Sequence, residues 1–273
     1  MVIGENIVIG ISIGLIAYVL LNLGKGIQKM AIEGFKAEKK IKGKNSGVWI
    51  GGTILTSLYM FIQWIALFFA PINVIAPLEG LGLIVLIIFS YFVLNEDITK
   101  IEIFGIILII FGVILATVFN PNPSNVQSGD FIFFYFIIIV FVLLLFEGIL
   151  IIISKISNYK AAGLILGSTA GTLMAFQTVS KRVTAIPDPY LQIIFSIMTM
   201  IMAVLTLIIT QFAFSKSKAN RVVPCFTSAS ISLSILIGVI TLNELIILIQ
   251  IIGIAILIFG VICLTAFRKE SEI

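Results

Sequence analysis

The chain has 273 residues, of which 60% are hydrophobic and 11% charged, and its mean hydropathy is +1.23. That balance excludes a water-soluble globular domain and leaves a bundle of helices in lipid, folded as one domain over 1–273. A formal charge of +4 does not point to nucleic acid, because the basic residues fall between the apolar runs. The chain has no His, which excludes imidazole metal sites and histidine proton relays. Cys225 and Cys263 both stand in apolar stretches, so no disulfide is expected.

Nine apolar stretches of membrane-crossing length follow in order: 6–24, 47–69, 72–94, 100–119, 131–153, 160–180, 189–213, 222–241 and 245–267. Glu5 before the first argues against a cleaved signal peptide. Residues 25–46 form the largest polar segment and are expected to be an amphipathic cytoplasmic helix or loop. Ala70-Pro71 separates the second stretch from the third. Asn120-Pro-Asn-Pro-Ser separates the fourth from the fifth, and Pro187-Asp188-Pro189 the sixth from the seventh. With the N-terminus outside, fifteen Lys and Arg fall in inside loops, among them Lys25, and two outside, Lys181 and Arg182. Positive charge is retained on the cytoplasmic side, so the N-terminus is expected outside and the C-terminus in the cytoplasm.

Leu94–Phe119 (LNEDITKIEIFGIILIIFGVILATVF) recurs as Leu242–Phe267 (LNELIILIQIIGIAILIFGVICLTAF), with fifteen of 26 positions identical. Eight identities are neither Ile nor Leu, so isoleucine richness does not produce the match. In the nine-span topology the two copies run in opposite directions. The expected organisation is therefore an inverted repeat, with residues 1–120 forming four helices and 129–273 five. Gly10 and Gly14 then correspond to Gly163 and Gly167. Inverted repeats of hydrophobic helices are a signature of transporters, in which one half rocks against the other.

Further landmarks run along nearly the whole chain. They are Gly24-Lys25 through Lys29, Trp49 and Gly51, Phe69-Ala70-Pro71, Val74-Ile75-Ala76-Pro77-Leu78, Tyr91 through Glu96, Gly129-Asp130, Lys181 and the run around Pro224. With the inverted halves they resemble the drug/metabolite transporter superfamily, and within it the NIPA-type magnesium transporters. The resemblance implies Mg²⁺ as substrate. Two positions depart from that family's pattern. Met60 stands three residues before Gln63 where the family is expected to carry an acid, and Glu79 follows Pro-Leu where it usually has Gly. A carboxylate is thus lost from one helix and gained on its neighbour, through either a relocated ion site or a changed substrate.

Ionisable residues inside membrane spans are costly, which makes Glu79 and Glu147 the first candidates. Glu79 lies just after Pro77, a residue that removes a backbone hydrogen bond and is expected to free carbonyls beside the carboxylate. That oxygen-rich setting suits a hard, partly hydrated cation; the alternative is a protonated carboxyl bonded to a neighbouring helix. Glu147 is a second ion station or proton carrier, or else a residue that reaches the interface or pairs with Lys155. Thr227 stands 148 residues beyond Glu79, at the matching place in the second half. It follows Pro224 and is accompanied by Ser228 and Ser230, a hydroxyl face that lines the pathway or permits close packing. Gln63 adds a polar amide. The expected site is Glu79 as metal ligand with Gln63, Thr227, Ser228, Ser230 and Glu147, and with Pro77 and Pro224 as helix breaks.

Asn95-Glu96 and Asn243-Glu244 are expected to cap the helices that follow them. Gly105, Gly112, Gly253 and Gly260 are expected to bring helices into contact. No phosphate loop, Ser/His/Asp set or His/Cys metal cluster occurs, so neither an enzyme nor a cofactor is expected. The function expected is movement of a divalent cation, Mg²⁺ first, by alternating access. The alternatives are a proton- or gradient-coupled exporter of metabolites or drugs, and a non-transporting membrane scaffold. Expected partners are the cation, the bilayer and, as an open alternative, a second copy of the chain. The cell membrane is the default location.

Overall fold

The computed structural model describes residues 5–38, 43–94, 98–121, 128–156, 158, 162–217 and 219–266. Asn95, Glu96, residues 39–42 of the polar segment and most of the Asn120–Ser124 break lie outside them. The described residues form α1 (Glu5–Glu38), α2 (Gly43–Phe69), α3 (Ile72–Ile75), α4 (Leu78–Leu94), α5 (Lys100–Val118), a 3-10 turn (Ser128–Asp130), α6 (Phe133–Ile156), α7 (Ala162–Val183), α8 (Pro189–Lys216), α9 (Ala219–Thr241) and α10 (Leu248–Ala266). No strand occurs among them. The protein is an all-α membrane protein. Among the described residues, seven segments are long and apolar enough to cross a bilayer unaided.

Local chemistry sets several helix starts. Asp188 caps α8, accepting from the Tyr190 and Leu191 N–H groups, and Pro189 occupies the first helical position, where no N–H is needed. At α5 the cap is Thr99, four residues beyond the expected Asn95, and Glu102 reaches back to the Thr99 N–H at 2.7 Å. The second copy of the repeat keeps half of this device. Gln250, aligned with Glu102, accepts from the Ile247 N–H at 3.3 Å.

The polar segment after the first span is not a separate amphipathic helix. α1 continues into it as a single 34-residue helix ending at Glu38, and residues 43–46 already belong to α2. At about 1.5 Å per residue α1 is roughly 50 Å long, so it projects beyond a hydrocarbon core of about 30 Å.

α7 is the centre of the bundle. Nearly all of its described side chains are buried, and it packs on α8 and α9, while α1 pairs with α2 and α4, and α5 with α10. It is absent from the seven apolar segments because a helix enclosed by protein needs no lipid-compatible surface. α6 is the opposite case. Its buried residues are Phe136, Glu147 and Ser154, which lie on one stripe, Ile139, Val140, Leu143 and Ile151 are half-buried against the core, and Phe134, Phe141, Leu145 and Ile152 are among those exposed on the outer face.

The repeated stretches meet as α5 and α10. A Cβ on Gly112 would lie 2.6 Å from the Gly253 carbonyl oxygen, and one on Gly253 would lie 2.9 Å from that of Gly112. Gly260 meets the Gly105 carbonyl at 2.9 Å in the same way. Gly112→Ala therefore forces two backbones apart and is expected to cost about 1–3 kcal/mol. Thermal unfolding in detergent measures this against Gly148→Ala, where an added Cβ meets nothing within 4 Å; equal melting of the two variants would refute the contact.

Candidate functional site

Glu79 sits in the first turn of α4, where the positive end of the helix favours a carboxylate, and it is 1% exposed. The turn at Ala76-Pro77 separates α3 from α4, so Pro77 marks a break as expected. The carbonyls of that turn are nevertheless engaged. Ala76 accepts from the Glu79 N–H and Pro77 from the Gly80 N–H, both at 3.1 Å. Pro224 makes no break, for α9 runs through it without interruption. Pro224 has no N–H to donate to the carbonyl four residues before it, but that carbonyl lies in the first turn of α9, so the lost bond and the ring's bulk fall at the helix start rather than in its middle.

Two hydroxyls of α9 turn toward Glu79. Ser230 Oγ donates to Oε2 at 2.8 Å, and Thr227 Oγ1 approaches Oε1 at 3.5 Å. They are three residues apart on one helix face, so a single carboxylate receives both. Asn22 of α1 packs near Gly82, one turn from Glu79; its Nδ2 donates to the Tyr18 carbonyl while its Oδ1 is buried with no hydrogen-bond partner.

Lys25 completes the cluster, and here the structure corrects the sequence reading. Lys25 is not in a cytoplasmic loop but inside α1, 6% exposed. Its Nζ stands 3.9 Å from Glu79 Oε1 and 3.5 Å from the centre of the Phe226 ring. That is an ion pair with a cation–π contact, but Nζ has no hydrogen-bond partner.

The two cations placed outside are also interior. Lys181 and Arg182 belong to α7 and are 0% and 1% exposed. Lys181 Nζ donates to Gln63 Oε1 at 2.6 Å, and Gln63 Nε2 donates to the Tyr18 hydroxyl at 2.9 Å. Gln63 is thus held in a Lys181–Tyr18 chain and makes no recorded bond to Glu79. Arg182 Nη1 donates to the Leu67 carbonyl at 2.7 Å, and its Nε lies 3.5 Å from Glu244 Oε1. Glu244 was expected to cap the helix after it. It accepts instead from the Ile72 and Asn73 N–H groups, at 3.0 and 3.3 Å, and so caps α3 from across the bundle. Burial pushes its carboxyl up from the ordinary carboxylate range, against the pull of Arg182 and the two N–H groups. Asn243 adopts φ 50° and donates from Nδ2 to the Asp130 carbonyl, which orients this turn.

Glu147 and Ser228 lie outside the Glu79 cluster. Glu147 accepts from Thr169 Oγ1 at 2.6 Å and Thr172 Oγ1 at 2.8 Å, which pins α6 to α7; its carboxylate is buried there rather than paired with Lys155. Ser228 Oγ has no hydrogen-bond partner.

A cavity of about 240 Å³ opens among α1, α2, α7 and α8. Lys25 and Phe226 stand in its wall with Met60, Met174, Gln177 and Thr206. Beside it, Gln211 of α8 donates to Gln28 of α1 at 2.9 Å and accepts from Trp49 of α2 at 3.3 Å, tying three helices together. Met60, where the resemblance leads one to expect an acid, therefore shares a cavity with the lysine that Glu79 neutralises. The sequence did carry a signal for Lys181 and Arg182. They were the two exceptions to an otherwise one-sided charge distribution.

Membrane helices that enclose a sealed carboxylate and three interior cations beside an open cavity define a polytopic membrane protein with charged side chains inside its bundle. The family model described as Magnesium transporter NIPA matches residues 1–270, and the chain belongs to that family. It is a family of transporters, not of enzymes. No curated protein and no solved structure matches the chain.

Proposed function

We propose that this protein carries Mg²⁺ or a closely similar divalent cation across the membrane, with Glu79 as its anionic station. The observation that carries this reading is the carboxylate of Glu79, sealed between α4 and α9 and facing the hydroxyls of Ser230 and Thr227. Mg²⁺ takes oxygen ligands and gives up water reluctantly, so one carboxylate with nearby neutral oxygens suits an ion that keeps most of its shell. No group of three acidic, Cys or His residues occurs among the described residues, which favours a passing cargo over a tightly held ion. Ser228, Gln63 and Glu147 serve in this reading as helix-packing and network residues.

With Lys25, Lys181 and Arg182 assigned to the interior, all fourteen remaining Lys and Arg fall on the inner side of the nine-span topology. This supports an N-terminus outside and a C-terminus in the cytoplasm. The reciprocal α5–α10 contact and the break at Ala76-Pro77 support rocking of one repeat against the other around Glu79. The apolar part of the cavity wall favours a second reading, export of an organic cation. Purified protein in liposomes loaded with a Mg²⁺-sensitive dye is expected to admit Mg²⁺ when the ion is added outside under an inside-negative potential. Absence of influx, with flux of organic cations under a proton gradient, would replace the first reading by the second.

A further inference from the structure

Lys25 lies in the cavity wall, and Glu79 does not. Lys25 borders the cavity among α1, α2, α7 and α8 while its Nζ is buried beside Glu79, so a cation arriving through the cavity reaches the Lys25 side chain before the carboxylate. The pair is neutral as it stands. A divalent ion added beside it would face the full repulsion of Lys25 in a poorly screened interior, so the two cations compete for one carboxylate.

The geometry points to Lys25 as a tethered stand-in for the transported ion: it occupies Glu79 between transport events, and cation binding exchanges it out into the cavity. This rests on the reading of Glu79 as the cation station and adds what controls access to it.

Three features of the site carry the inference. Lys25 is held loosely, for its Nζ is 3.9 Å from the carboxylate, has no hydrogen-bond partner and rests on the face of Phe226. Its four-carbon stem is flexible and its charge is compact, so it can swing without moving α1. The cavity offers it space to move into, with Thr206 and Gln177 among the polar residues of its wall. Ser230 and Thr227 bond to Glu79 rather than to Lys25, so the carboxylate keeps its oxygen surroundings when the ammonium leaves. Lys181 is a contrasting case, a buried lysine fixed at 2.6 Å by Gln63.

Two measurements test the exchange. In the wild-type protein in nanodiscs, saturating Mg²⁺ is expected to raise acetylation of Lys25 by an amine reagent about threefold or more, read by peptide mass spectrometry, with Lys181 unchanged. In calorimetric titration with Mg²⁺ alone, Lys25→Gln is expected to bind about tenfold more tightly than wild type, because the competitor that holds the site closed is gone. Unchanged or reduced labelling of Lys25 by Mg²⁺, or weaker binding by Lys25→Gln, overturns the exchange while leaving Glu79 as a cation station. No binding by either protein overturns both. If Lys25→Gln does not fold, the wild-type labelling decides alone.

Discussion

Glu79→Gln is expected to lower Mg²⁺ influx into proteoliposomes to about one hundredth of the wild-type rate or less. At about 4 Å and an effective dielectric near 20, a carboxylate and a divalent ion attract by about 8 kcal/mol, and losing a third of that is already about a hundredfold in affinity. Gln keeps the shape and an oxygen that can accept from Ser230, so the α4–α9 contact is largely preserved. The substitution also leaves Lys25 buried without its acid, a situation that destabilises proteins by about 3–5 kcal/mol when both charges are well enclosed. The Lys25→Gln/Glu79→Gln double variant removes that objection, since neither charge is then stranded. It is expected to melt near wild type and to transport nothing. Influx at the wild-type rate through either folded variant would remove Glu79 from the pathway.

Arg182→Met is expected to produce the largest loss of stability, about 3–5 kcal/mol, because it strands a buried carboxylate. Arg182 joins the last turn of α2, through the Leu67 carbonyl, to Glu244, and Glu244 in turn caps α3. One guanidinium thus fixes how three elements meet around the Pro71 corner. Met matches the length of the stem but supplies no donor, so the Leu67 carbonyl also loses its Arg182 partner. Adding Glu244→Gln should recover part of the loss, since a neutral amide is cheaper to bury than an unpaired charge. Denaturation in mixed micelles, followed by Trp fluorescence, measures both. A single variant within about 0.5 kcal/mol of wild type would show that the pair is a bystander.

Much of the architecture was legible because lipid imposes a simple rule: a span must be long, apolar and internally hydrogen-bonded. Residues 131–153 appear as α6 because an outward-facing helix must satisfy that rule by itself. The glycines could be read as a contact because Gly105 recurs as Gly253 and Gly112 as Gly260, and a missing side chain at such spacing has few other uses. Asp188-Pro189 announced the start of α8 through local capping alone. Glu79, Thr227 and Ser230 were likewise legible as candidates, the first by its cost in the bilayer, the second by its place in the repeat and the third by sharing a helix face with Thr227.

What the sequence by itself determined, then, is the helical membrane class, the repeat, and Glu79 and the hydroxyls after Pro224 as candidates. All of these rest on periodicity and on the price of a charge in hydrocarbon. The tertiary structure chose Thr227 and Ser230 over Ser228 as the ones that face the carboxylate. Only the tertiary structure decided which cations are interior. Lys25, Lys181 and Arg182 look like loop charges because a lone lysine or arginine is unfavourable in a span. Their partners, Glu79, Gln63 and Glu244, lie 54, 118 and 62 residues away, and no local pattern links them. The same distance effect moved Glu244 from its own helix to the N-terminus of α3, and let α7, already read as a span over 160–180, carry Lys181 and Arg182 inside the bundle. A helix enclosed by other helices answers to its neighbours rather than to lipid, and those neighbours are set by the fold.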